Sequence, residues 1–282
     1  MNRISRIPKP PARPTGAHKG TAGLVLVVAG SRGMAGAAAL AGNGALRAGA
    51  GLVRVATADA ALDTVAGLAP CCTTAPLPDD GACVTGEAAG AIVRLADGQD
   101  ALAMGPGLGQ TDGVARTVRD VLGQVAVPVV LDADGLNVLG EAARRVLAGS
   151  RAPAVLTPHP GEAARLLGAS VPEVQADREA AAAALAEMAE TAVLKGSGTV
   201  VTDGSRLYVN ETGNPGMATA GAGDVLTGVL TALVAAGMEP FDAAVLAVWA
   251  HGRAGDLAAE RLGMLGLTAW DILGCVPEAM RL

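Results

Sequence analysis

The stretch Gly216-Met217-Ala218-Thr219-Ala220-Gly221-Ala222-Gly223-Asp224-Val225-Leu226-Thr227-Gly228 joins a glycine-rich turn to an apolar run through one acidic residue. Glycines at 221 and 223 let backbone N–H groups approach an anion closely, and a helix propagating from Val225 to Val234 aims its N-terminal N–H groups and dipole at that anion. The pattern predicts phosphate chemistry. A carboxylate at 224 repels a bound phosphate, so its chemical use is to accept a proton from a hydroxyl that attacks the phosphate. The competing reading is a first-turn acid that only complements the helix dipole, the ordinary role of a lone Gly-Asp pair.

Such residues need a scaffold that gathers loops from distant parts of the chain. Short apolar runs at 24–29, 52–56, 101–104, 127–131, 154–156 and 192–194 read as buried strands, and Ala-rich segments at 37–48, 114–122 and 173–189 read as helices between them. Continuous apolar strands alternating with helices predict an α/β fold with a mostly parallel central sheet covered on both faces, a three-layer α/β/α sandwich. Residues 199–202 and 206–209, separated by Asp203-Gly204-Ser205, predict an antiparallel hairpin appended to that sheet. Ser170 with Glu173, and Thr268 with Asp271, have the spacing of capping boxes. The segments 31–36, 105–109, 132–137, 157–162 and 195–199 each follow a predicted strand. They should converge at the strand carboxyl ends, where open α/β sheets bind ligands.

The 282 residues, 51% of them hydrophobic, suffice for one large α/β domain with an ample core. With aromatics at 1% and 39 glycines, that core must pack Ala, Val and Leu with close backbone approach. A net charge of −6, scattered basic residues and almost no rings for base stacking argue against a nucleic-acid partner. Cys71, Cys72, Cys83 and Cys275 lack the paired spacing of a metal site or disulfide framework, and a reducing cytoplasm is the expected setting. No apolar helical run reaches the roughly 18 residues of a membrane span, so no membrane association is expected. Residues 1–15, basic and proline-rich, read as a disordered arm, with 16–282 as a single domain.

In order along the chain stand His18-Lys19-Gly20, Ala29-Gly30-Ser31, Gly105-Pro106-Gly107-Leu108-Gly109, Asp132-Ala133-Asp134, Thr157-Pro158-His159-Pro160-Gly161-Glu162, Lys195-Gly196 and Gly221-Ala222-Gly223-Asp224. With these motifs, which cover nearly its whole length, the chain resembles the ADP/ATP-dependent NAD(P)H-hydrate dehydratases, carbohydrate-kinase-like repair enzymes with a ribokinase-like fold. Gly-Ala-Gly-Asp alone would indicate only the wider kinase superfamily. Thr-Pro-His-Pro-Gly-Glu together with Gly-Pro-Gly-Leu-Gly narrows the resemblance.

The resemblance implies dehydration of the S-form of NAD(P)H hydrate to NADH or NADPH, driven by ADP or alternatively ATP, with AMP and phosphate released from ADP. It makes Asp224 the catalytic base and Gly221, Ala222 and Gly223 the phosphate-binding turn. Nucleotide contacts fall on Lys195, Gly196, Ser197, Gly198, Thr199 and Gly223. Contacts to the hydrated dinucleotide fall on Ala37 or Ala38, Gly107 or Gly109, His159 and Asp224. Glu162 matches the acidic member of the Asn-x-x-Glu element that organises Mg²⁺ in ribokinase relatives, with His159 where Asn would stand. Asp132, Asp134 and Asn137 form a strand-end acidic cluster that either reaches Mg²⁺ or caps a helix. A homo-oligomer, a tetramer, is implied, and the epimerase often fused to this family is expected as a separate chain.

Two other readings compete. A thiazole or pyrimidine kinase of the same superfamily would use Asp224 identically but release a stable phosphorylated product. A nucleotide-binding module without catalysis would have lost Asp224 or its glycines, which are intact. Taken alone, 195–199 reads as an ordinary hairpin entry, because it lacks the Walker spacing.

Overall fold

A computed structural model describes residues 1–281. Among the described residues the strands are β1 (Asn2–Arg3), β2 (Leu24–Val28), β3 (Leu52–Ala58), β4 (Thr73–Leu77) and β5 (Ala101–Met104), then β6 (Val129–Leu131), β7 (Ala154–Leu156), β8 (Thr191–Leu194), β9 (Val200–Thr202) and β10 (Arg206–Val209). They form one sheet in the order β1-β10-β9-β8-β7-β6-β5-β2-β3-β4. Only β9 runs against its neighbours, pairing antiparallel with β8 and β10, so the expected hairpin is β9–β10.

The helices are α1 (Ala35–Arg47), α2 (Leu62–Leu68), α3 (Ala88–Ala96), α4 (Asp112–Leu122), α5 (Asp134–Asn137) and α6 (Ala143–Ala148). They continue with α7 (Pro160–Leu167), α8 (Val171–Ala176), α9 (Arg178–Ala186), α10 (Ala222–Ala235), α11 (Pro240–Leu262) and α12 (Ala269–Ala279). Alternate side chains of the central strands feed two cores. Val25 and Val27 of β2 meet α1, α10, α11 and α12, while Leu26 and Val28 meet the layer containing α3, α4, α7 and α9. This is the three-layer sandwich that doubly apolar strands require. Among the described residues no helix is long and apolar enough to cross a membrane.

Close helix contact positions the glycine turn. A Cβ on Gly44 of α1 would lie 2.7 Å from the Val225 carbonyl oxygen, and one on Gly228 of α10 would lie 2.0 Å from that of Ala41. The two backbones therefore touch, and the first turn of α10 is held at a fixed height over the sheet.

Three elements differ from expectation. The helix expected over 173–189 is two helices: Ser170 and Glu173 form the capping box of α8, the chain breaks at Asp177 (φ −142°, ψ 84°), and the Asp177 side chain caps α9 by accepting from Ala180 N. Strand β4 was not expected, because Thr73-Thr74-Ala75-Pro76-Leu77 is partly exposed and carries a proline, which only an edge strand tolerates. In the stretch 1–15, read as a disordered arm, Asn2 and Arg3 pair with Arg206 and Leu207, and Ile4 and Ile7 pack on the core. The open edge of β10 supplies the hydrogen bonds and the two isoleucines supply apolar surface to bury.

Candidate active site

Strand order reverses at β2, whose chain continues to β3 and β4 on one side before β5 returns on the other. A reversal of this kind opens a crevice at the strand carboxyl ends. The segments that follow β2, β5, β6, β7 and β8 all start at that end, and the N-terminus of α10 joins them through contacts of Gly223 and Thr227.

Asp224 is the third residue of α10. Gly221, with φ 88°, turns the chain into the helix, and a Cβ there would strike Leu40 Cδ1 at 2.5 Å. No side chain caps this helix, and among the described residues Gly223 N and Asp224 N donate to no protein acceptor. These N–H groups are disposed to receive an anion. Burial, then the negative charge of Asp132, pushes the Asp224 carboxyl up to about 7 against the pull of Lys195. A carboxyl titrating near neutrality is suited to taking up a proton at that pH.

Beneath Asp224, the buried Asp132 at the end of β6 accepts from Lys195 Nζ at 2.5 Å and from Thr227 Oγ1 at 2.6 Å. Both its oxygens are occupied by this tie between β6, β8 and α10. Burial works against the Lys195 ammonium, but Asp132, Glu162 and Asp224 outweigh it and leave its pKa raised. Its Nζ would sit 3.2 Å from a Cβ on Gly223, so the structure brings two candidate nucleotide residues together.

Asp134 serves another loop. Its Oδ2 accepts from Gly109 N at 2.9 Å and its Oδ1 from Gln110 Nε2 at 2.9 Å. The turn that sends Asp132 and Asp134 to different partners holds Ala133 at φ 49°, ψ −121°, the one non-glycine residue with positive φ among the described residues. Strain of this sort persists where the surroundings impose it. Asn137 Oδ1 accepts from Arg165. The acidic cluster is thus divided between an ion pair and a loop anchor.

His159 and Glu162 form a capping box on α7. His159 Nδ1 accepts from Gly161 N at 3.0 Å and Glu162 N at 3.3 Å, and Glu162 Oε2 accepts from His159 N at 2.8 Å. His159 Nε2 lies 3.3 Å from Glu162 Oε1, with the imidazole 57% exposed and the carboxyl 4%. Burial pushes Glu162 up to about 7, and burial followed by the Lys195 charge lowers His159, whose imidazole is neutral at pH 7.

The 105–109 loop lies against the start of α1. A Cβ on Gly107 (φ 62°) would lie 3.1 Å from the Ala37 methyl, and Ser31 Oγ donates to Gly107 O at 2.8 Å. Ala38 is fully buried, its methyl 3.0 Å from where a Cβ on Gly30 would be. Ala37 and Gly107 therefore adjoin at the crevice, with Ala38 underneath.

Two sets of supporting residues escaped sequence reasoning. On α11, Gly252 and Gly255 leave room for Thr212 and Met217, and Asp256 accepts from Gly213 N and Asn214 Nδ2, each at 3.0 Å. His251 beside them makes polar contact with the Ala222 backbone, and burial pushes its pKa down to about 4. This face carries the strand-to-turn segment that precedes Gly221. Its signal was present as His251-Gly252 and Gly255-Asp256, spaced to share one helical face. The second set centres on Arg178, whose side chain donates to the carbonyls of Leu194, Lys195 and Gly198.

This sheet order, with helices on both faces, is that of the ribokinase-like fold class. A Thermotoga maritima ribokinase shares the fold alone, with a TM-score of 0.53 at 15% identity over 90% of this chain and 99% of that one. Within the class, the chain belongs to the Carb_kinase family of NAD(P)H-hydrate dehydratases, which it matches over residues 25–278. It is 44% identical over 276 residues to the bifunctional NAD(P)H-hydrate repair enzyme of Moorella thermoacetica, covering 96% of this chain and 52% of that protein. The chain spans about half the length of the first such relatives it matches. It is 42% identical over 266 residues to the ADP-dependent (S)-NAD(P)H-hydrate dehydratase of Neisseria meningitidis serogroup B, covering 93% and 86% of the two chains. Among solved structures it resembles the ADP/ATP-dependent NAD(P)H-hydrate dehydratase of Bacillus subtilis, crystallised with ATP and Mg²⁺. That pair superposes with a TM-score of 0.81 at 33% identity, over 95% of this chain and 92% of that one.

Proposed function

We propose that this protein dehydrates the S-form of NAD(P)H hydrate to NADH or NADPH, coupled to conversion of ADP to AMP and phosphate, with ATP as the alternative donor. The observation that carries this reading is the Asp224 carboxyl, poised near neutrality at the start of α10 beside unoccupied N–H groups and Lys195. Hydroxide leaves a ring carbon poorly at neutral pH, whereas phosphate leaves well. The ring hydroxyl oxygen attacks the terminal phosphorus, the bond from phosphorus to the departing nucleotide breaks, and Asp224 accepts the hydroxyl proton. The N–H groups of Gly223 and Asp224 hold the charge on the transferring phosphoryl. Phosphate then departs from the ring carbon, assisted by the ring nitrogen's electrons, and the adjacent carbon gives up a proton.

Ala37, Gly107, Gly109 and His159 take the hydrated dinucleotide in this reading, with Ala38 packing from below. The residues Lys195, Gly196, Ser197, Gly198, Thr199 and Gly223 take the nucleotide. The side chains suit a Mg²⁺ that arrives with the nucleotide: among the described residues no group of three or more His, Cys, Asp or Glu is set to hold an ion by itself. Glu162 and Asp224, both raised to about 7 by burial and neighbouring acids, are relieved by a nearby cation. Glu162 would be the residue that faces it, supplying negative charge. The bound ion would neutralise charge on the phosphate oxygens.

Cytoplasmic location, an epimerase activity acting on the same hydrates and a homotetramer complete the reading. The tetramer is supported by exposed Leu262, Met264, Leu265 and Trp270 around the α11–α12 turn. Light scattering should give about four times the 27.6 kDa chain mass, and a single-chain mass with nucleotide bound would remove it.

The reaction is tested by incubating pure protein with hydrated NADH and either nucleotide while following the return of reduced-nicotinamide absorbance. Recovery should require nucleotide and release one phosphate per NADH. Accumulation of a stable phosphorylated dinucleotide would move the protein to the kinases, and unchanged nucleotide would reject the reading.

A further inference from the structure

The 195–199 loop is held from behind by a residue outside the crevice. Arg178, the first residue of α9, donates through Nη2 to the carbonyls of Leu194 at 3.0 Å, Lys195 at 3.1 Å and Gly198 at 3.4 Å. Its Nη1 donates to Gln175 Oε1 at 2.6 Å, which fixes the guanidinium plane. Two further carbonyls are taken locally: that of Gly196 accepts from Thr199 Oγ1 at 2.8 Å, and that of Thr199 accepts from Asn210 N at 2.8 Å. Among the described residues, the N–H groups of Gly196, Ser197 and Gly198 reach no protein acceptor.

A backbone divided in this way turns its negative ends inward and its positive ends outward, which is the polarity of an anion-binding nest. Gly196 (φ 131°) and Gly198 (φ 64°) supply the left-handed conformations. A side chain at 196 would also meet Arg178 Nη2 at 3.3 Å. The arrangement keeps Arg178 Nε buried without a partner, a desolvation cost that an apolar side chain of similar length would avoid.

We infer that Arg178 is the positioning residue of the nucleotide site: by gathering the carbonyls of Leu194, Lys195 and Gly198 it turns the loop's N–H groups toward the phosphates of ADP or ATP. The inference rests on the proposed reaction only for the identity of that anion. An arginine that merely stabilised the end of β8 would lower the melting temperature and depress every kinetic parameter together when removed. A positioning residue changes nucleotide affinity selectively.

Calorimetric titration with Mg-ADP and Mg-ATP, alongside kinetics with hydrated NADH, separates the two on wild type, Arg178→Met and Arg178→Lys. Arg178→Met should weaken nucleotide binding roughly 10–100-fold, the range for lost charge-assisted hydrogen bonds. The hydrate KM and the kcat at saturating nucleotide should stay within about twofold of wild type, since the residues that make the transition state are untouched. Arg178→Lys, which keeps the charge but not the fork, should fall between. If Arg178→Met does not fold, Arg178→Lys and Gln175→Leu must show the same selective loss at smaller size. Nucleotide affinity within twofold of wild type in these variants, or an equal loss of hydrate binding, overturns the inference. Titration reads binding without turnover, so a wild type that binds ADP and shows this Arg178 dependence but fails to dehydrate the hydrate rejects the reaction and supports the inference. A wild type that binds neither nucleotide rejects both.

Discussion

The 105–109 and 195–199 loops are both glycine-rich, both follow a central strand and both face the crevice, yet they differ in how many backbone N–H groups they leave unpaired. In the first, Gly105 N donates to Val28 O, Leu108 N to Gly105 O, and Gly109 N to the Asp134 carboxylate. A carboxylate of the protein already sits where a phosphate would bind. In the second, the carbonyls of Lys195, Gly196, Gly198 and Thr199 are occupied and the N–H groups of Gly196, Ser197 and Gly198 are left over. Glycine content does not tell an anion site from a shape site; the run of unpaired N–H groups does. The first loop offers room for an uncharged ring beside Ala37, and the second offers donors for phosphate.

The largest break in this comparison falls on Asp224, which in the proposed reaction takes the proton of the ring hydroxyl as the phosphoryl is transferred. Asp224→Asn should lower kcat by roughly 10²–10⁴-fold while both KM values change little, because neither loop moves. Wild-type kcat/KM should rise with pH through about 7, where the carboxyl becomes the competent base, and this limb should vanish in the residual activity of the variant. The same shift sets stability. The folded carboxyl's pKa stands above its unfolded value, so the contribution of the neutral form is full at low pH and is lost as pH rises through about 7. Asparagine escapes that loss, and Asp224→Asn should be more stable than wild type at pH 8 by on the order of 1–3 kcal/mol, read as a higher melting temperature, with the difference closing toward pH 4. Equal melting temperatures at both pH values would place Asp224 in an ordinary solvated environment.

How far the sequence reveals these parts depends on whether a function is written in adjacent residues. Residues 221–224 are contiguous, and their turn-plus-helix geometry follows from local rules, so an acid at a glycine-rich helix start was legible. The central strands were legible because burial on both faces leaves no polar alternation to misread. Arg178 was not, because it sits in an Ala-rich stretch and its partners are backbone carbonyls at 194, 195 and 198. A carbonyl carries no side-chain signature. The division of Asp132 from Asp134 was hidden for a related reason: it depends on the single dihedral at Ala133, which places one acid on Lys195 and its near neighbour on Gly109.

The second break tests whether Lys195 belongs to the phosphate site or only to the fold. Lys195→Ala leaves Asp132 buried with its charge unpaired, and should cost about 3–5 kcal/mol of stability together with nucleotide affinity. The double change Asp132→Asn with Lys195→Met removes the stranded charge and should restore much of the melting temperature. ADP binding should remain weak in it, measured by calorimetry. Recovery of ADP affinity in the double variant would leave the N–H groups and Arg178 as the whole nucleotide site and make Lys195 a structural partner.

The smallest effect is expected at His159, where cap and contact coincide. Its Nδ1 caps α7 while the ring stands 57% exposed toward the crevice, so alanine removes both roles and asparagine can retain the cap with its side-chain oxygen. His159→Ala should lose about 1 kcal/mol of stability, and His159→Asn very little. If the ring also holds the hydrated dinucleotide, both variants should raise the hydrate KM by roughly tenfold, the cost of about one hydrogen bond, with ADP affinity unchanged. Burial and then Lys195 keep the imidazole neutral at pH 7, so the contact is a hydrogen bond rather than a charge. The tenfold difference should therefore persist when salt is raised from low to physiological strength, where a charge contact would fade. A His159→Asn protein with wild-type hydrate KM would show that this histidine only begins a helix, and the substrate side of the comparison would rest on Ala37 and the 105–109 loop.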